Sequence, residues 1–273
     1  MRTGEIKAPA HFLQRPRGPL PTVRGLGLLS RRSRWDAVPV PAFAVEHPGA
    51  GLLLVDTGLH PAIPDDPAEG LGRVGARALD VTMRPEWAVP AQLRGRGLEP
   101  GDVRTVVMTH LHHDHTGAAS EFPQAPFVVD RAEWASARSS GLLKGYRHAH
   151  LDHPLDWRLV DFGAPDVGSH ETFGRSLDVL GDGSIRLLST PGHSRGHLSV
   201  LLRLGGGREL LLTGDAAYAR RSIDEGLLPL FCEDVHRYRR SLAEIRRYVE
   251  RNPDVEVVCG HDAESWPAVR DQY

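Results

Sequence analysis

Four side chains able to bind a metal lie within six residues: His110, His112, Asp114 and His115, in the run Thr109-His110-Leu111-His112-His113-Asp114-His115. Neutral imidazole and carboxylate are borderline-to-hard donors that suit Zn, Mn, Fe or Co in mixed nitrogen–oxygen sites. Four ligands so close in sequence crowd one ion but can serve two ions side by side. Three further segments share a form, an apolar run followed by glycine and one ligand-type residue: Thr190-Pro191-Gly192-His193, Thr213-Gly214-Asp215 and Gly260-His261. Singly, each is more often a capping or turn residue. Together, four apolar runs that deliver His or Asp at their ends point to one shared cleft.

The elements that must position these residues are short and β-rich. Apolar runs bounded by Gly and Pro predict strands over 38–45, 51–55, 103–108, 127–129, 176–180, 184–188, 197–202, 209–212 and 255–258. Helices are predicted over 86–96, ended by Gly97, over 131–137, and over 234–251, where Leu242, Ile245 and Tyr248 recur at helical spacing. Residues 61–80 read as a loop punctuated by Pro and Gly. Residues 140–175 read as loop-rich, with His148, His150, His153 and His170 among them, and a loop of that length is often a lid. The Arg-, Pro- and Gly-rich residues 1–37 read as an irregular arm, and 38–273 as one α/β domain.

Composition narrows the class. The chain has 273 residues, 40% hydrophobic and 25% charged, as in ordinary soluble globular proteins. A formal net charge of -2 gives no global attraction to nucleic acid or to an anionic membrane. Two cysteines, Cys232 and Cys259, are too few for a disulfide framework. With no apolar leader near Met1 and no run long enough to span a bilayer, a cytoplasmic location is expected. Histidine is the outlier, at 15 residues.

In these motifs the chain resembles the metallo-β-lactamase superfamily. The likeness runs from about residue 40: Leu54-Val55-Asp56-Thr57-Gly58, the His110–His115 motif, Pro191-Gly192-His193, Gly214-Asp215 and Gly260-His261. It implies an αββα sandwich, two mixed sheets with helices on the outer faces. It also implies that His110, His112 and His193 hold one metal, that Asp114, His115 and His261 hold the other, and that Asp215 bridges them. Within the superfamily the chain is most similar to the N-acyl-homoserine lactonases, through Pro-Gly-His-x-x-Gly-His ending at His197 and Asp-Ala-x-Tyr from Asp215 to Tyr218. Ala118 stands where a second glycine is usual.

The resemblance implies lactone opening by a hydroxide that bridges two divalent ions, Zn2+ first, with Fe, Mn or Co as alternatives. Tyr218 would then donate a hydrogen bond to the carbonyl oxygen, the other reading being packing at a strand end. Asp114 would shuttle a proton to the departing alkoxide, or serve as ligand alone. Asp56, Asp262 and His197 read as residues that orient ligands and turns. The partner is a small lactone or ester, with a homodimer among the arrangements such lactonases adopt. The rival hydrolase is a glyoxalase-II-like thioesterase; outside hydrolases, an iron-dependent oxidoreductase on the same fold.

Overall fold

The computed structural model describes residues 1–9, 14–15, 31, 35–165 and 167–273. Among them are fourteen strands: β1 (Arg2–Ala8), β2 (Asp36–Pro41), β3 (Phe43–His47), β4 (Gly51–Val55), β5 (Asp80–Thr82), β6 (Val103–Val107), β7 (Pro126–Asp130), β8 (Asp156–Val160), β9 (Gly168–His170), β10 (Phe173–Asp178), β11 (Ile185–Ser189), β12 (Leu198–Arg203), β13 (Glu209–Leu212) and β14 (Glu256–Val258). The α-helices are α1 (Pro67–Ala78), α2 (Val89–Arg94), α3 (Arg131–Ser139), α4 (His148–Leu151), α5 (Arg220–Glu225) and α6 (Val235–Arg251). The chain forms two compact units, Met1–Ile6 with Pro39–Val160 and Lys7–Val38 with Asp161–Tyr273.

The first unit is built on a five-stranded sheet in the order β3-β4-β6-β7-β8. β3 and β4 pair antiparallel, and β4, β6, β7 and β8 run parallel. Parallel strands covered on both faces need nearly continuous apolar sequence. Leu52, Leu53, Leu54 and Val55 on β4, and Val106 and Val107 on β6, supply it and are buried. Asp130 caps α3 by accepting from the N–H groups of Ala132 and Glu133.

Three expectations need correction here. Residues 67–78, read as loop, are helical. Asp66 caps the helix, accepting from Ala68 N at 2.9 Å, and Pro67 occupies its first turn. Its glycines misled the reading because one marks a kink, Gly72 at φ +73°, and another a close approach. A Cβ on Gly70 would lie 2.7 Å from side-chain atoms of His60 and Ile63. Second, Arg2–Ala8, assigned to an irregular arm, is a strand in a three-stranded sheet ordered β2-β1-β5. Thr3 Oγ1 donates to Val40 O at 2.9 Å and anchors it. The rest of that arm at 10–13, 16–30 and 32–34 lies outside the described residues. Third, 140–175 is not one long loop, since α4, β8 and β9 interrupt it. β8 is an edge strand with no fully buried position, and β9 has three residues, so neither leaves an apolar run to read.

The second unit carries a six-stranded sheet in the order β14-β13-β12-β11-β10-β9. Its pairs are antiparallel except β13 with β14, which is parallel. Helix α6 begins at the cap Asp234, whose Oδ1 accepts from His236 N and Arg237 N at 2.9 and 3.0 Å. It turns Tyr238, Leu242, Ile245 and Tyr248 into a core with Phe173, Leu188, Leu201 and Leu211. Burial of such side chains contributes about 1.5–3 kcal/mol each. No helix among the described residues is long and apolar enough to cross a membrane.

Candidate metal centre

In the first unit, the chain leaves β6 and turns directly into the histidine-rich segment. Asp56, at the end of β4, organises it from behind. Asp56 Oδ1 accepts Thr109 N–H at 2.8 Å, Oδ2 accepts the Thr109 hydroxyl at 2.7 Å, and Oδ2 also lies 2.8 Å from His115 Nδ1. A carboxylate only accepts, so a neutral His115 ring carries its proton on Nδ1 and presents the Nε2 lone pair. Thr109 spends its one hydroxyl hydrogen on Asp56. His110 Nδ1, 3.1 Å from Thr109 Oγ1, must therefore be a donor too, which in the neutral ring leaves the lone pair on Nε2. Both rings hold the tautomer a metal ligand needs, fixed by a bond on the far side.

The ligand-type atoms of His110 and His112, of His110 and His115, and of Asp114 and His115 lie within 4.8 Å of each other. The His110 and His115 rings lie tilted to each other with centroids 4.0 Å apart, and His112 meets His110 edge-on at 4.5 Å. His113 is set apart from these groups, with Nδ1 3.5 Å from Asp114 Oδ1. Ala118 is buried at φ −98°, a conformation open to any residue, so the usual glycine is not required there.

The second unit brings together His193, Asp215, Tyr218 and His261. Asp215 offers one oxygen to each imidazole: Oδ2 is 3.2 Å from His193 Nε2, and Oδ1 is 3.3 Å from His261 Nε2. The parallel pairing of β13 with β14 puts Leu212 opposite Val258, so the turns carrying Asp215 and His261 leave the sheet side by side. Gly260 N–H donates to Ala217 O and His261 N–H to Tyr218 O, at 3.2 and 2.8 Å. A Cβ on Gly260 would stand 2.5 Å from Asp215 Oδ1, so glycine is what admits the carboxylate. Tyr218 Oη lies 3.2 Å from His193 Nδ1, and its ring meets His261 edge-on at 5.2 Å.

His197 and Asp262 support this set. Asp215 N–H donates to His197 Nε2 at 2.9 Å, which places the His197 proton on Nδ1, 3.0 Å from Thr190 Oγ1. From there the bonds run to Ser199 Oγ at 2.9 Å and on to Thr213 O at 2.9 Å. Asp262 accepts from Arg220 N, Glu264 N and Ser265 N, tying the turn after His261 to the start of α5. Burial pushes the Cys259 thiol up to about 12, so it stays protonated and a poor ligand.

Sequence reasoning misjudged one residue near the first set, His150, and passed over another, Glu133. His148 and His153 are exposed, as loop histidines are expected to be, but His150 is buried with Nδ1 3.0 Å from Thr116 Oγ1. Burial, and then the neighbouring His60, His113 and Arg147, hold its pKa down at about 3. Glu133, on α3, is fully buried behind the His110–His115 segment. Nothing in the local sequence separates it from a surface glutamate. As a donor set, imidazoles whose Nδ1 protons are engaged elsewhere, together with carboxylates, fit a divalent transition metal.

The profile of the metallo-beta-lactamase superfamily matches residues 35–261. The chain belongs to this superfamily. Among superfamily relatives, N-acyl homoserine lactonase AttM of Rhizobium radiobacter is 36% identical over 232 residues, covering 84% of each chain. N-acyl homoserine lactonase AiiB of Agrobacterium fabrum is 30% identical over 259 residues, covering 87% of this chain and 84% of its own. The superfamily fold is shared with the solved structure of an N-acyl homoserine lactone hydrolase with N-hexanoyl-L-homoserine bound at its catalytic metal center. That likeness has a TM-score of 0.78 at 23% identity and covers 99% of this chain and 94% of that one.

Proposed function

We propose that the chain is a dinuclear metal-dependent hydrolase that opens the ring of an N-acyl homoserine lactone or a related lactone. The observation that carries this reading is Asp215, whose two oxygens each face a different imidazole, a placement that would let one carboxylate be shared between two ions. The 36% identity to an N-acyl homoserine lactonase supports the substrate class. In this reading His110, His112 and His193 would hold one ion, Asp114, His115 and His261 the other, and Asp215 would be shared between them. Zn2+ suits the donors best, with Fe, Mn and Co as alternatives. Two such ions, when bound, would polarise an ester carbonyl and lower the pKa of water from about 15.7 to about 7.

The remaining chemistry falls to the chain's own side chains. With Nε2 given to an ion, His193 would carry its proton on Nδ1 and donate it to Tyr218 Oη, 3.2 Å away. The phenol hydrogen is then available for the substrate's carbonyl oxygen as that oxygen gains charge. Asp114 takes a proton from the attacking water and returns it to the departing alkoxide. Asp56 and His197 hold His115 and Asp215 still while this happens.

The test is metal analysis of the purified protein followed by a pH-stat assay on acyl-homoserine lactones, aromatic lactones, S-lactoylglutathione and phosphodiesters. Acid release from lactones, abolished by a chelator and restored by Zn2+, is expected. Acid release from the thioester alone would replace this reading with the thioesterase. Full activity in metal-free protein would end it.

A further inference from the structure

Glu133 is a carboxylate with 0% exposure, set in the first turn of α3. Acidic side chains are almost never buried so completely without strong partners. Its backbone is pinned by the helix cap, since Asp130 Oδ1 accepts Glu133 N–H at 3.1 Å. Its Oε1 then receives two hydrogens, from Leu111 N–H at 3.0 Å and from the Tyr146 hydroxyl at 3.2 Å. Leu111 is the residue between His110 and His112. Tyr146 sets its ring edge-on to His112, with centroids 5.0 Å apart.

Gly145 completes the enclosure. At φ +87° it lies flat on the His112 imidazole, and a Cβ there would come within 2.7–2.9 Å of three ring atoms. The Gly145 carbonyl accepts His113 N–H at 2.9 Å. His112 is only partly buried, whereas His110, Asp114 and His115 are buried. Its ring therefore depends on these walls more than the others depend on theirs.

We propose that Glu133 is a positioning residue for the metal centre. Through Leu111 N–H and the Tyr146 hydroxyl, it fixes the backbone and the ring of His112 and so sets the affinity of the ion His112 binds. The inference rests on the dinuclear reading above. Removing a group that orients a ligand typically weakens metal binding about 10–100-fold.

The test compares wild type with Glu133→Gln, Glu133→Ala and Tyr146→Phe. Zn2+ affinities come from competition with a chromophoric chelator, and ligand geometry from the visible spectrum of Co2+-loaded protein. Glu133→Gln should stay near wild type, because its amide oxygen can accept both hydrogens. Glu133→Ala should weaken one of two ions about 10–100-fold and alter the Co2+ spectrum, and Tyr146→Phe should move both readouts the same way by less. If Glu133→Ala fails to fold by circular dichroism, Tyr146→Phe, which removes one oxygen, decides. Wild-type affinities and spectra in Glu133→Ala, or in Tyr146→Phe where it stands alone, overturn the proposal. So does equal weakening in Glu133→Gln and Glu133→Ala, which would make charge the cause rather than position. A wild type that does not bind two ions would instead bring down the dinuclear reading, and this proposal with it.

Discussion

Asp56→Asn changes two atoms' chemistry and almost nothing of shape. The backbone at residue 56 has φ +59°, a left-handed conformation that Asn visits as readily as Asp, so no new strain is introduced. The native carboxylate accepts three hydrogen bonds, two from Thr109 and one from His115 Nδ1. Asn brings one acceptor oxygen and one donor NH2. If the oxygen serves the Thr109 hydroxyl and His115, the NH2 is forced against Thr109 N–H, donor to donor. Turning the amide over sets it against the other two groups instead.

The variant therefore loses at least one bond to a charged acceptor, about 1.5–3 kcal/mol, and strands a buried donor at about 1–3 kcal/mol. These costs overlap, and about 3 kcal/mol is the expected total. At about 2–4 °C per kcal/mol for a chain of this size, chelated Asp56→Asn should melt about 6–12 °C below chelated wild type. His115 also loses the charge behind its Nδ1–H, so Zn2+ affinity should fall about 10–100-fold. Melting followed by circular dichroism and a chelator competition supply both numbers. An unchanged melting temperature together with unchanged affinity would refute the role assigned to Asp56.

Tyr218→Phe, assayed with Zn2+ in excess, should lower kcat about 100-fold with little change in KM, while Zn2+ binding weakens as His193 Nδ1 loses its acceptor; an unaltered kcat removes the proposed donor. His150 makes stability pH-dependent. The unfolded chain takes up a proton below about pH 6.5 that the folded chain refuses down to about 3, so stability is complete above the higher value and drains away as pH falls between the two. At pH 5 the loss relative to pH 7.5 is about 2 kcal/mol from this group, and urea melts should show a shallower acid decline in His150→Leu. Gly192→Ala would place a Cβ 2.1 Å from Tyr238 N at φ +136°, and should cost more than about 3 kcal/mol in urea unfolding.

The seven ligand-type residues were legible because each sits just past an apolar run, and those runs proved to be strands or to abut them. Asp234 and the spacing of Leu242, Ile245 and Tyr248 made α6 equally plain. What stayed hidden depended on contacts between segments far apart in sequence. Gly70 reads as a breaker until His60 and Ile63 are seen pressing on it. Glu133 and His150 look like surface residues until α3 and α4 are folded down, since burial of a polar side chain leaves no periodic signature. β1 escaped because its pairing partners come from 36–41 and 80–82, and its own composition is half polar.

The β13–β14 ladder acts as a ruler for the two turns at its end. Deleting one residue from β13 would shift Asp215 along the sheet by about 3.3 Å and reverse which face each later side chain meets. Extra residues in the Gly205–Gly207 turn before it would only lengthen a surface excursion. Variation in chain length among functional descendants of this sequence should thus gather in such turns and spare the strands, whatever residues the strands come to contain.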